Sequence, residues 1–312
     1  MKQPPAHLLV DGEFQKKILD SVSEHIVVTD NAGVILLTNK GWDLFGRENG
    51  CRINNAWAGI NYLEICEKAG KMGDEFGTAA SEGIRQVIAG KACFQIEYPC
   101  HSPNEKRWFM MNANSFQYEG QTYLVIMHHN ITQRKLAEEQ ALELARQDGL
   151  TGLFNRRAFD EFLQSEWFRC MRLNLPITVA MMDIDHFKIL NDTYGHQQGD
   201  DCLIRLGNVI KKYARRPGDL CARYGGEEFV MVFGNSTSEQ TLPLMHALMA
   251  DIRTLDIKNQ NAPKEKHVTL SIGLASTIPS GASNHHNLLK SADILLYQAK
   301  KNGRNNIMPE TL

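Results

Sequence analysis

A chain of 312 residues with 34 Lys and Arg against 36 Asp and Glu has a formal net charge of −2, too balanced to hold a nucleic-acid polymer or an anionic membrane surface by its overall field. With 43% apolar and 22% charged residues it reads as a globular protein, long enough for two domains of roughly 100–200 residues. The opening MKQPPAHLLVDGEF lacks an apolar core of signal-peptide length, and no stretch approaches the roughly 18 apolar residues that span a bilayer, so a cytoplasmic location is expected. Seven cysteines (51, 66, 93, 100, 170, 202 and 221) without C-x-x-C spacing predict reduced, mostly buried thiols.

Residues 25–38, HIVVTDNAGVILLT, alternate apolar and β-branched residues around Asp30-Asn31-Ala32-Gly33 and predict a hairpin. Helical patterns follow at about 39–47, 59–69 and 78–89, then three strands, ACFQIEYPC, KRWFMMNANSF and QTYLVIMHH. From Thr132 the segment TQRKLAEEQALELARQD has no Gly or Pro and predicts one helix over 132–148, the boundary between domains at 14–131 and 149–312. Ala137, Ala141 and Leu144 keep a spacing that fits either a coiled-coil seam or a solvated linker. Beyond it, helices near 155–171, 200–214, 238–254 and 286–302 alternate with the strands PITVAMMDID and VTLSIGLAS and with two strands meeting at Gly225-Gly226, which predicts an α/β sheet containing an antiparallel hairpin.

The chemistry concentrates at strand ends. Asp183 and Asp185 close the run ITVAMM, and period-2 alternation sends both side chains to one face. Glu227 and Glu228 at the glycine hairpin would add negative charge that a hard divalent cation neutralises, and Mg²⁺ commonly shares such oxygens with substrate phosphates. Gly225 and Gly226 can take positive φ and admit a bulky anion close to the backbone; the bland reading is a solvated hairpin tip. The segment 183–200 sets Lys188, Asn191, Asp192, His196 and Asp200 around two glycines, and an Asp carboxylate can accept both N–H donors of a guanine edge. Lys300 and Arg304, four apart, share a face and could hold a triphosphate if their helix persists; the alternative is an ordinary basic helix terminus. Cys100 and His101 lack any companion ligand pattern, and Trp42, Trp57, Trp108, Phe94 and Tyr98 suit a core or a cavity equally.

Together DGLTGLFNRR (148–157), DIDHFKILND (183–192), GHQQGD (195–200), RYGGEEF (223–229), SIGLA (271–275) and YQAKKNGRN (297–305) resemble, in order and register, the GGDEF domain of diguanylate cyclases over about 141–309. That resemblance implies a palm-like α/β fold with a central mixed sheet, a nucleotidyltransferase that condenses two GTP into cyclic di-GMP and two pyrophosphates. By motif position it implies that Asp183, the Ile184 carbonyl and Glu227 hold Mg²⁺, with Mn²⁺ as a substitute, while Glu228 completes the metal site or assists deprotonation of the 3′-hydroxyl. It implies Asn191 and Asp200 as guanine readers and Lys188, Lys300 and Arg304 as phosphate contacts, with His196 beside them; mixed-product relatives differ at the Asp200 position, so GTP alone is expected. Each site takes one GTP, so catalysis requires a homodimer. Arg216-Pro-Gly-Asp219 matches the family's inhibitory R-x-x-D motif, implying feedback by cyclic di-GMP; the bland reading is a Pro-Gly turn. A catalytically silent domain that only binds GTP or cyclic di-GMP is the alternative.

The first half is similar to a PAS domain, an α+β sensor, over about 14–132, on its element order, on ILDSVSEHIVVTDNAGVILLTNKGWDLFG and on the closing HNITQRK. Asn130 replaces the family's usual Asp there, a change in a hydrogen bond that would couple this domain to the linker helix. Regulation of the cyclase by a small molecule, redox state, light or dimerisation is what this resemblance implies; the PAS ligand itself is not legible.

Overall fold

The structure is a computed structural model in which residues 12–51, 57–103, 105–281 and 283–310 are described. The chain divides into units Met1–Gln140 and Ala141–Leu312.

The first unit runs α1 (Gly12–Ser21), β1 (His25–Asp30), β2 (Ile35–Thr38), α2 (Lys40–Glu48), α3 (Tyr62–Lys71), α4 (Glu75–Ile88), β3 (Cys93–Pro99), β4 (Trp108–Tyr118) and β5 (Gln121–Asn130). The hairpin forms because the Asp30 carboxylate accepts from Ala32 N and Val34 N at 2.9 and 2.8 Å while Gly33 takes φ +84°. Its five strands make an antiparallel sheet in the order β2-β1-β5-β4-β3. α1 was not expected; it buries no side chain, and its Phe14 and Ile18 stay exposed. Asn39, 1% exposed, fixes its exit by donating to the carbonyls of Leu19, Val22 and Glu24, and its oxygen caps α2 at Trp42 N.

α5 (Thr132–Ala145) begins with Asn130 Oδ1 accepting from Thr132 N at 2.9 Å, so an amide oxygen caps the start of the helix. The helix ends three residues before the expected 148. There the Asp148 carboxylate accepts from Thr151 N and Oγ1, at 2.9 and 2.7 Å, and Asp148 N bonds Leu153 O, which bends the chain into a turn.

The second unit runs β6 (Phe154–Asn155), α6 (Arg156–Leu173), β7 (Ile177–Ile184), α7 (Phe187–Tyr194), α8 (His196–Ile210), β8 (Asp219–Gly225), β9 (Glu228–Gly234), α9 (Ser238–Thr254), β10 (Leu270–Thr277), α10 (His285–Lys301) and β11 (Ile307–Pro309). The sheet order is β11-β10-β7-β9-β8-β6, with parallel outer pairs and antiparallel inner ones, a mixed sheet as expected. Every residue of β7 is buried, and separate apolar clusters cover the two faces of the sheet. Gly273 on β10 lets α10 approach, since a Cβ there would collide with the Ala292 carbonyl and Leu296 N. Cys66, Cys170, Cys202 and Cys221 are buried free thiols, as expected, whereas Cys93 is exposed. Among the described residues no helix is long and apolar enough to cross a membrane.

Candidate active site

β7 delivers its last polar residue to the mouth of the sheet. Asp183 lies directly opposite Glu228 in the β7–β9 ladder, and Ile184 N donates to the Glu227 carbonyl at 3.4 Å, so the two acidic segments converge. Opposed residues of an antiparallel pair share a face, where like charges repel. Lys300, from the last turn of α10, answers that repulsion with its Nζ 2.7 Å from Asp183 Oδ2. Burial nevertheless pushes the Asp183 carboxyl up to about 6; Lys300 pulls it down, and Glu227 and Glu228 add to the rise. A cavity of about 320 Å³ lies alongside, lined by Glu228, Asp293, Ile294, Leu296, Tyr297 and Lys300.

Gly226 carries the positive φ (+55°) of the two-residue turn, but Gly225 does not, contrary to the expectation for both. Open space surrounds each position where a Cβ would stand, so what the glycines provide is room for a ligand. The tip is held from below: Arg223 donates from Nε to the Gly226 carbonyl at 2.8 Å and from Nη1 to Asp148 Oδ1 at 3.2 Å. Neither Arg223 nor Asp148 was singled out in the sequence, although both stand inside the quoted motifs.

Asp185 departs from expectation. Its buried carboxylate is consumed by Ser271 Oγ (2.6 Å), Thr269 Oγ1 (2.7 Å) and Asn305 N (3.0 Å), so it ties β7, β10 and the loop after α10 together instead of joining the acidic cluster. The reason is its place beyond the end of the strand, where alternation no longer governs direction.

The donor chemistry suits a hard divalent ion: two or three carboxylates and a backbone carbonyl, all oxygen, with an ammonium as their present counter-charge. Among the described residues no three acidic, His or Cys side chains already converge at coordination distance. The residues therefore fit Mg²⁺ in kind, with Lys300 paired to the carboxylate that such an ion would need.

On the other rim, α7 and α8 place Asn191 half-buried with its Oδ1 lacking any partner, an orphaned acceptor that suits an N–H donor such as the guanine edge. Gly199 packs against that oxygen, and a Cβ there would overlap it. Lys188, His196 and Asp200 are exposed. The shared helical face of Lys300 and Arg304 does not exist: α10 stops at Lys301, Gly303 (φ +106°) turns the chain, and Arg304 sits at φ +65° near His186, whose pKa it helps to lower.

In the turn before β8, Asp219 Oδ2 accepts from Arg215 N and Arg216 N at 3.2 and 3.0 Å, which makes the carboxylate the lock of its own turn. Behind it stands a pair that sequence reading missed: Glu166, 5% exposed, with Arg169 Nε at 2.7 Å, so close that a Cβ on Gly218 would lie 2.9 Å from Glu166 Oε1. In the first unit, His101 Nδ1 accepts from Arg107 N and its ring meets the edge of Trp108, an ordinary loop histidine.

Residues 145–306 match the family model described as "Diguanylate cyclase, GGDEF domain". Among curated proteins, the chain is 37% identical over 178 residues to the probable diguanylate cyclase DgcC of Escherichia coli K12, covering 56% of this chain and 46% of that protein. It is 32% identical over 196 residues to the E. coli K12 diguanylate cyclase DgcM, covering 63% and 46%. The chain thus spans about half the length of these relatives. Among solved structures, the coiled coil and GGDEF domain of DgcB from Caulobacter crescentus, in complex with c-di-GMP, superposes with a TM-score of 0.53 at 32% identity, over 58% of this chain and 93% of that one.

Proposed function

The chain belongs to the diguanylate cyclase GGDEF family, and from that premise we propose that it joins two GTP molecules into cyclic di-GMP with release of two pyrophosphates. The observation that carries this reading is Asp183 opposite Glu228 at the open end of the sheet, beside a glycine turn with room for phosphates. In each of two transfers a ribose 3′-oxygen bonds to the α-phosphorus of the other nucleotide, the bond from that phosphorus to the pyrophosphate breaks, and the hydroxyl proton leaves for a base. Glu228 shares a face with Asp183 and is placed either to take that proton or to share the cation. Asp183, the Ile184 carbonyl and Glu227 would hold Mg²⁺, which when bound would supply the charge that activates the hydroxyl and stabilises the leaving group. Asn191 and Asp200 hold guanine, and Lys188, Lys300 and Arg304 hold phosphates, with Lys300 leaving Asp183 for the nucleotide.

One site holds one nucleotide, so two protomers face each other. α5, with Leu142 and Leu144 61% and 71% exposed, is the helix proposed to pair them; the C. crescentus relative carries a coiled coil with its GGDEF domain. The first unit is read as a PAS module on its element order and its β2-β1-β5-β4-β3 sheet. Arg216 and Asp219 are read as a feedback site for the product, in a cytoplasmic enzyme.

Purified protein incubated with GTP and Mg²⁺ is expected to yield cyclic di-GMP on chromatography, and Glu228→Gln to lose turnover by at least about 100-fold while its circular dichroism stays unchanged. GTP binding without product in the wild-type chain would instead make it a receptor. The same assay started with cyclic di-GMP present reads the feedback site: an undiminished rate removes that role from Arg216.

A further inference from the structure

Between α9 and β10 the chain makes a long connection, residues 255–269, whose conformation is set by bonds to α7. Its two arms pair through Val268 N with the Ile257 carbonyl and Asn259 N with the Lys266 carbonyl, both at 2.8 Å. Asn259, 1% exposed, donates from Nδ2 to the His186 carbonyl at 3.3 Å. Gln260 N donates to the Tyr194 hydroxyl at 3.2 Å, and Asn261 Nδ2 to Thr193 Oγ1 at 3.0 Å. Both ends of α7 thus fix the loop, and with it the place of the side chains that the loop carries.

The lysines of this loop differ in their partners. Lys258 Nζ is 2.9 Å from Asp256 Oδ1, and Lys266 Nζ donates to the Ala262 carbonyl at 2.9 Å. Lys264 is exposed and, among the described residues, pairs with no carboxylate, the adjacent Glu265 included. Its ammonium lies instead over the turn that follows α10, where a Cβ on Gly303 would stand 3.2 Å from Lys264 Nζ. Arg304 comes next, exposed and likewise without an ion pair among the described residues. Two cations brought to one turn without an anion repel each other. Nor does Asp185 answer them, since its oxygens are taken by Ser271, Thr269 and Asn305 N. Arg304 and Asn305 both hold positive φ, +65° and +49°, enforced by Asp185 on Asn305 N and by Asn306 Nδ2 donating to the Arg304 carbonyl at 3.0 Å. Backbone strain held in place by its surroundings is characteristic of ligand clamps. α7 itself begins at His186 without a side-chain cap, so its first-turn N–H groups add to the donors on this side.

We propose that Lys264 is a further phosphate-binding residue, which together with Arg304 holds the outer two phosphates of GTP, the part that leaves as pyrophosphate. This rests on the reading of Asp183 and Glu228 as the reacting centre, for the α-phosphate then lies at the end of the β7–β9 ladder. Lys264 stands off that ladder, at the turn beyond Lys300, where the far end of a triphosphate extends. As the bond between the α-phosphorus and the bridging oxygen breaks, its electron pair goes to the pyrophosphate, and a cation already in place stabilises the charge that gathers there. A lysine suits that task, being a point charge on a long stem that can follow the departing group.

Calorimetric titration of the full chain in Mg²⁺ with two nucleotides tests the assignment: GMP, which has no outer phosphates, and a GTP analogue with a methylene bridge between its α- and β-phosphates, which cannot release pyrophosphate. Lys264→Ala is expected to bind the analogue about tenfold more weakly than the wild type, the worth of one charge-assisted hydrogen bond, and GMP as before. Lys264→Arg, which keeps the charge, should recover most of the loss. A wild-type chain that binds neither nucleotide would remove the cyclase reading together with this one. If the wild type binds the analogue and Lys264→Ala binds it equally well, or loses GMP in the same proportion, Lys264 alone is removed from the site and the cyclase reading stands.

Discussion

Gly199 illustrates how a residue with no functional group can govern specificity. It sits in α8, where glycine costs about 1 kcal/mol relative to alanine, so helix propensity alone would favour replacement. The structure gives the opposing reason: a methyl group there would occupy the space of Asn191 Oδ1, an unpartnered acceptor on the rim where guanine is proposed to bind. Gly199→Ala is therefore expected to leave the thermal midpoint unchanged or slightly raised while kcat/KM for GTP falls about 10- to 100-fold. Inosine triphosphate lacks the 2-amino donor, so the variant should also lose much of the preference for GTP over it. A variant that kept both efficiency and preference would take Asn191 out of base reading.

Among the elements, the β8–β9 hairpin depends on a strut from the turn that ends α5. Arg223 holds the Gly226 carbonyl with one arm of its guanidinium and Asp148 with another, and Asp148 in turn organises the backbone at Thr151 and Leu153. Lysine keeps the charge but cannot span both partners with a rigid fork. Arg223→Lys and Asp148→Asn are each expected to lower kcat about tenfold or more with the fold retained. Because both act through one strut, the double variant should be little worse than either single one, a coupling on the order of 1–3 kcal/mol. Fully additive losses would mean that the two residues act separately. The same strut marks the limit of sequence reading at this scale. The strands, the hairpin and the acids at their ends were legible because periodicity and turn chemistry are local. What failed at long range was Asp185, which turned to Thr269 and to Ser271 on β10, and the Glu166–Arg169 pair, which took its meaning from a turn about 50 residues away; α10 stopped before Arg304 for a local reason, the turn at Gly303. α1, which buries no side chain, depends for its exit on Asn39, some 20 residues downstream.

For the molecule as a whole, acid is expected to separate the two units. Of the described histidines only His128 is buried, and it belongs to the first unit. Neighbouring groups give a proton no compensation: Tyr62 from α3 and Tyr98 from β3 are neutral, and His25 on β1 would add repulsion. Its folded pKa of about 3 lies below the ordinary value of 6.5, so the native unit refuses a proton that the unfolded chain accepts. Above pH 6.5 both states are neutral and the full stability is present. As pH falls from 6.5 towards 3, the unfolded state gains protons and the first unit loses about 1.4 kcal/mol per pH unit from this residue. Guanidinium midpoints followed by tryptophan fluorescence report mainly on that unit, which contains Trp42, Trp57 and Trp108, whereas Trp167 alone lies in the other. Between pH 7 and 5 the wild-type midpoint should fall more steeply than that of His128→Gln, whose amide can still bond a tyrosyl hydroxyl but does not titrate. Parallel slopes for the two proteins would mean that His128 already takes up its proton in the folded state.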